Sequence, residues 1–146
     1  MGMVDSELVF GEAQAVTSTG DTPSTNSYDT GGANLGPAGM TGENLWVQGI
    51  CSTTPTSSGG ATIQAVLQDS ADNSSFADVA VGPVLPYTAV AAGTQQLAIQ
   101  PPPNMRRYWR VVWRIGTAAL TAGKFDAFIT NTYQNNVAQP SGFSVS

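Results

Sequence analysis

Tyr108-Trp109-Arg110-Val111-Val112-Trp113-Arg114-Ile115 decides how the rest of the chain is read. In an extended strand successive side chains point to opposite faces, so Trp109, Val111, Trp113 and Ile115 fall on one side and Tyr108, Arg110, Val112 and Arg114 on the other. A helix would scatter both sets around its axis. The alternation therefore predicts a half-buried β-strand with a dry aromatic face and a cationic face.

The same period recurs outward from this stretch. Ala61 to Gln68 alternates Ile63, Ala65 and Leu67 with Thr62, Gln64 and Gln68, and Gln95 to Gln100 carries Leu97 and Ile99. Lys124 to Asn131 places Phe125, Ala127 and Ile129 together, and further strands are expected at Glu7 to Phe10, Thr25 to Asp29, Leu45 to Cys51 and Phe76 to Val81. Gly31-Gly32, Gly36-Pro37, Ser58-Gly59-Gly60, Asp69 to Ser75, Gly82-Pro83, Ala92-Gly93, Pro101-Pro102-Pro103 and Ala122-Gly123 punctuate these runs as turns. About eight short strands between turn clusters predict an all-β, antiparallel β-sandwich or jelly roll. The stretches Ser18 to Ser24 and Thr30 to Glu43 read as irregular, and both ends read as arms, the last carrying Phe143 and Val145.

Composition supports this class. The chain has 146 residues, the length of one domain, and one domain spanning 1–146 is expected. Only 10% of residues are charged, against about 25% on average, and helix formers are few. A net charge of −5 argues against general attraction to nucleic acid or an anionic membrane surface. No run approaches the roughly 18 apolar residues of a membrane span, and no charged segment followed by an apolar run opens the chain. The expected compartment is the cytosol of the producing cell.

Catalytic options are narrow. The sequence has no histidine, which removes Ser-His-Asp and Cys-His arrangements and most zinc sites. Cys51, the single cysteine, ends an apolar strand and reads as a small buried hydrophobe. The ten acidic residues are scattered, so turn and solvent-face roles account for them better than a glycosidase pair. Asp69 to Ser75 is rich in oxygen ligands but lacks the alternating spacing and closing Glu of a calcium loop, and reads as a polar hairpin. No catalytic residue, cofactor or metal is expected.

Charge segregation is the informative feature. All five cations, Arg106, Arg107, Arg110, Arg114 and Lys124, follow a stretch of 105 residues that contains none. Arg110 and Arg114 share a strand face with Tyr108, and Arg beside an aromatic is a common interface anchor. The competing reading is a solvated face whose arginines pair within the subunit. A single-strand nucleic-acid platform fits poorly, because Trp109 and Trp113 lie on the face opposite the arginines.

Asp5-Ser6-Glu7-Leu8-Val9-Phe10, Ala13-Gln14-Ala15-Val16 and Ser24-Thr25-Asn26-Ser27-Tyr28-Asp29 form the start of an ordered series of motifs. It continues through Gly60 to Ser70, Phe76, Ala92-Gly93, Arg107-Tyr108-Trp109-Arg110-Val111 and Thr121 to Ala127. In that order and spacing the chain resembles the capsid cement, or decoration, proteins of short-tailed phages of the Bordetella phage type. The resemblance implies a jelly roll on the outer capsid surface of a virion, made in the host bacterial cytoplasm. It also implies a homodimer or homotrimer that clamps major capsid protein subunits, without an active site.

The expectation is therefore a structural decoration protein whose contacts fall on Arg106, Arg107, Tyr108, Arg110 and Arg114, with Leu8, Val9 and Phe10 of the N-terminal arm. Irregular arms that touch several subunits at once would add contact area and multivalency. The rival is a carbohydrate-binding sandwich of a fibre or spike, with Trp46 or Tyr87 stacking on a sugar ring.

Overall fold

The computed structural model describes residues 9–29, 46–102 and 105–130. They form ten strands: β1 (Val9–Ala15), β2 (Gly20–Pro23), β3 (Tyr28–Asp29), β4 (Trp46–Thr56), β5 (Thr62–Ser70), β6 (Ala77–Val81), β7 (Leu85–Pro86), β8 (Gln95–Ile99), β9 (Tyr108–Gly116) and β10 (Ala122–Thr130). A single 3-10 turn, Tyr87–Ala89, interrupts them. The fold is an all-β sandwich of two antiparallel sheets.

One sheet runs β1-β10-β4-β8 and the other β2-β9-β5-β6. The short strands β2 and β3 lie in line along β9, and β6 and β7 lie in line along β5. Each pair thus acts as one broken edge strand, leaving four strand positions per sheet. Except at the β5–β6 hairpin, the chain crosses to the other sheet between successive positions, which is the order of a jelly roll.

The core lies between the inner faces. Trp109, Val111, Trp113 and Ile115 of β9 are buried there, as the alternation required, with Ile63, Ala65 and Leu67 of β5 and Phe125, Ala127 and Ile129 of β10. The sheets meet where Trp113 stacks on Phe125, with ring centroids 4.7 Å apart. Gly49 on β4 makes room for this pair, because a Cβ there would sit 2.9 Å from Cη2 of Trp113. Trp109 donates its indole N–H to the Arg106 carbonyl at 2.8 Å, so the buried ring leaves no polar atom unpaired.

β1, β2, β4 and the unexpected β7 depart from the sequence reading. β1 begins at Val9 and continues to Ala15, past the expected end at Phe10. Its pairing with β10 shifts register twice, and Ala13 has a positive φ, so the strand lacks the clean alternation that would reveal it. β2 falls inside Ser18 to Ser24, expected to be irregular; Gly20-Asp21-Thr22-Pro23 has no apolar period, and its proline is tolerated because the strand is an edge. β4 extends to Thr56, well beyond Cys51. The remainder of the N-terminal arm, the Gly-rich segment before Trp46 and the C-terminal arm lie outside the described residues.

Candidate functional site

The outer face of the β2-β9-β5-β6 sheet holds the arginine cluster. Antiparallel register sets the neighbours: Asp21 and Gln64 flank Arg114, Gln68 flanks Arg110, and Asp78 lies beyond Gln68 on β6. Arg114 donates to both oxygens of Asp21, at 2.7 and 3.1 Å, and to both oxygens of Asp78, at 3.2 and 3.3 Å. Gln68 donates to Asp78 at 2.7 Å, and its Oε1 accepts from Nε of Arg110 at 2.9 Å. The Arg110 guanidinium lies over the Phe76 ring, 3.9 Å from its centroid. Four strand positions are thus tied by one chain of contacts, Asp21–Arg114–Asp78–Gln68–Arg110–Phe76.

Beneath it, Val66 and Val112 point outward from the sheet yet are 0% exposed. Arg110 and Arg114 stand two residues either side of Val112, and long guanidinium stems cover apolar surface while their heads reach water. The face therefore has an apolar floor and a polar roof. Hydrogen bonds and the charge of Arg114 hold the Asp78 carboxyl below the usual range, and the two carboxylates raise Arg114 further above an ordinary guanidinium. Burial lowers Arg110 instead. Among the described residues no carboxylate lies within ion-pair distance of Arg110.

Arg106 and Arg107 stand where the chain enters β9. Arg106 grips the nearly buried Asp69 through Nε, Nη2 and its backbone N–H, at 2.7–2.9 Å, closing the end of β5 against the loop before β9. Arg107 makes a two-pronged bond to Asp29 at 2.7 and 2.9 Å and lies 5.1 Å from the Tyr108 ring centroid. That pairing raises Arg107 above its ordinary value. Of the four arginines expected to meet a partner, three have their charge matched inside the subunit.

The N-terminal contact residues separate in space. Phe10 is 1% exposed and belongs to the core, so in this fold it packs the interior and does not present itself to a partner. Val9 is half-buried opposite Phe128 of β10. Leu8 lies outside the described residues. Val9 and Phe10 do not belong to the arginine face, because β1 is in the other sheet.

Two other sequence readings acquire geometry. The Asp72 carboxylate accepts from the backbone N–H groups of Ser74 and Ser75, both at 2.9 Å, and from the Ser70 hydroxyl at 2.8 Å, which holds its pKa well below the usual carboxylate range. It organises the β5–β6 hairpin, whose Asn73 takes φ 60°. Trp46 starts β4 opposite Thr130, whereas Tyr87 donates its backbone N–H to Ala61 near the other end of the sandwich. Among the described residues no group of three or more Cys, Asp or Glu side chains is placed to hold a metal. Cys51 is buried, donates to the Thr53 carbonyl at 3.1 Å, and has its thiol pushed up to about 11 by burial.

Asp21 and Asp78 are the ion-pair partners of Arg114 that sequence reasoning missed. The available signal was the absence of cations from the first 105 residues: arginines confined to one central strand meet carboxylates on its neighbours.

A protein-family model described as Bbp16 matches residues 10–129, which spans all ten strands but for the residue at each end. No curated protein matches the chain.

Proposed function

The chain belongs to the Bbp16 family, a Bordetella phage protein family, and from that premise we propose that it is a virion protein that decorates an icosahedral shell. It binds the outer surface of the shell, holds neighbouring major capsid protein subunits together and associates with copies of itself. A jelly roll suits such a task, since it offers two broad faces and two ends from which connections extend. Multivalent contact would then raise affinity without strong individual contacts.

The observation that carries the contact site is Arg110. Its guanidinium is fixed between Phe76 and Gln68 and, among the described residues, has no carboxylate partner of the kind that Arg106, Arg107 and Arg114 have. A pre-oriented guanidinium loses little freedom on binding and suits a carboxylate on the partner. Arg114 is a poorer anchor because its donors already serve Asp21 and Asp78.

Arg110→Glu tests the site. It should leave the far-ultraviolet circular dichroism unchanged and weaken binding to purified shells by about tenfold or more, the loss expected of a central interface arginine. Arg110→Lys should recover part of the loss. Undiminished binding by a folded Arg110→Glu protein would remove this face from the contact.

A further inference from the structure

β4 slips out of register with both of its neighbours, and each slip leaves one polar residue over. Against β8 the pairing passes from Ile50 opposite Gln95 to Gly49 opposite Leu97, so Gln96 is the extra residue. Against β10 it passes from Cys51 opposite Phe125 to Thr53 opposite Lys124, so Ser52 is the extra one. Bulges of this kind leave the extra residue outside the hydrogen-bonded ladder and bend the strand. The two flank Ile50 and Cys51.

Both bulges bury polar atoms. Gln96 is 2% exposed, and Leu97 and Ile99 on the core side leave it on the outer face of the sheet, beside Ile50. Its Oε1 and Nε2 are buried, as is Oγ of Ser52, and none of the three has a hydrogen-bond partner among the described residues. Glutamines elsewhere show the ordinary outcome: Gln14 bonds Pro23 and Thr25, Gln64 bonds Gly82, and Gln68 bonds Asp78 and Arg110. A buried amide with neither its donor nor its acceptor satisfied is costly, and native folds rarely keep one.

We propose that the Gln96 bulge is a binding site for ordered water, with a second such site at the Ser52 bulge. The atoms select the ligand. An N–H donor and a carbonyl acceptor are both left over at Gln96, so the occupant must accept and donate. A metal cation could serve Oε1 but not Nε2. An anion could serve Nε2 but not Oε1, and the Asp126 carboxylate, on the residue opposite Ile50, would repel it. Water serves both, and a buried water typically makes about three hydrogen bonds to polar groups that otherwise lack partners. Backbone groups released from the ladder at the bulge supply the remainder. Bound there, water completes the hydrogen bonding of an interior strand whose register is broken on both sides. The proposal is independent of the decoration reading and concerns the isolated protein.

The test is magnetisation transfer from water to side-chain amides, measured by nuclear magnetic resonance on the isotope-labelled full-length protein. The Gln96 amide, assigned through its own side-chain carbons and by its disappearance in Gln96→Met, should show cross-peaks to water. Their signs should be opposite in the laboratory and rotating frames, the signature of water held on the protein. The cross-peaks should persist in Ser52→Ala, which excludes relay through that hydroxyl. Gln96→Met, close in volume, should leave Tm unchanged or lower it, because a hydrated amide has no unmet hydrogen bond to relieve. A Gln96 amide without water cross-peaks, or one whose contacts run only to other side chains, would overturn the proposal. So would a Tm for Gln96→Met higher by a few degrees, the gain expected from removing a dry, unsatisfied amide.

Discussion

Gly49→Ala sets two opposed effects against each other at the centre of the sandwich. Replacing a strand glycine by alanine reduces the conformational freedom of the unfolded chain and by itself stabilises by about 0.5–1 kcal/mol. Here the added methyl would sit 2.9 Å from Cη2 of Trp113 and 3.5 Å from Cβ of Leu97. Trp113 cannot give way easily, since it is fully buried and stacked on Phe125. Overpacking of such a site costs about 1–3 kcal/mol. The cost wins, and the variant should lose about 0.5–2 kcal/mol net, lowering Tm by roughly 1–8 °C in a chain of this size. Thermal unfolding followed by circular dichroism measures it. A double-mutant cycle with Trp113→Phe, which removes the offending edge, should show favourable coupling of at least about 0.5 kcal/mol. A higher Tm for Gly49→Ala alone would refute the claim that the two sheets are in contact at this point.

Three further outcomes follow from the polar roof and the buried thiol. Arg114→Gln should lower stability in urea by about 1–2 kcal/mol, combining two half-exposed ion pairs with lost cover over Val112. Asp78 has its folded pKa depressed, so its contribution is complete above the unfolded carboxylate value of about 3.9 and disappears as pH falls through the lower folded value; Asp78→Asn should flatten the acid limb of a stability-against-pH curve. Cys51, with its thiol raised to about 11, should resist alkylation at pH 8 in the native protein and react at once when the protein is unfolded in urea.

The core was the most legible part of the sequence. Strict alternation in Tyr108 to Ile115 follows from one face being dry, and β9, β5 and β10 are interior strands where that contrast is greatest. Legibility failed at the edges. β2 and β7 each include a proline and only two or four residues, and their existence depends on β9 and β5 supplying hydrogen-bond partners. β1 was misplaced because two register shifts break its period. Alternation along β9 made it legible that Arg110 and Arg114 share a strand face, but the arginines' partners Asp21, Asp29, Asp69 and Asp78 lie 36 to 93 positions away and become neighbours only through the sheet order. Buried Phe10 shows the same limit, since an apolar residue near an end reads equally well as an anchor or as core.

Cosedimentation of the purified protein with expanded shells of its source phage, at low and high salt, tests the decoration reading most directly. The account predicts saturable binding at a fixed ratio to the major capsid protein, weakened by salt and reduced by Arg110→Glu. A folded protein that stays in the supernatant at every concentration would contradict it.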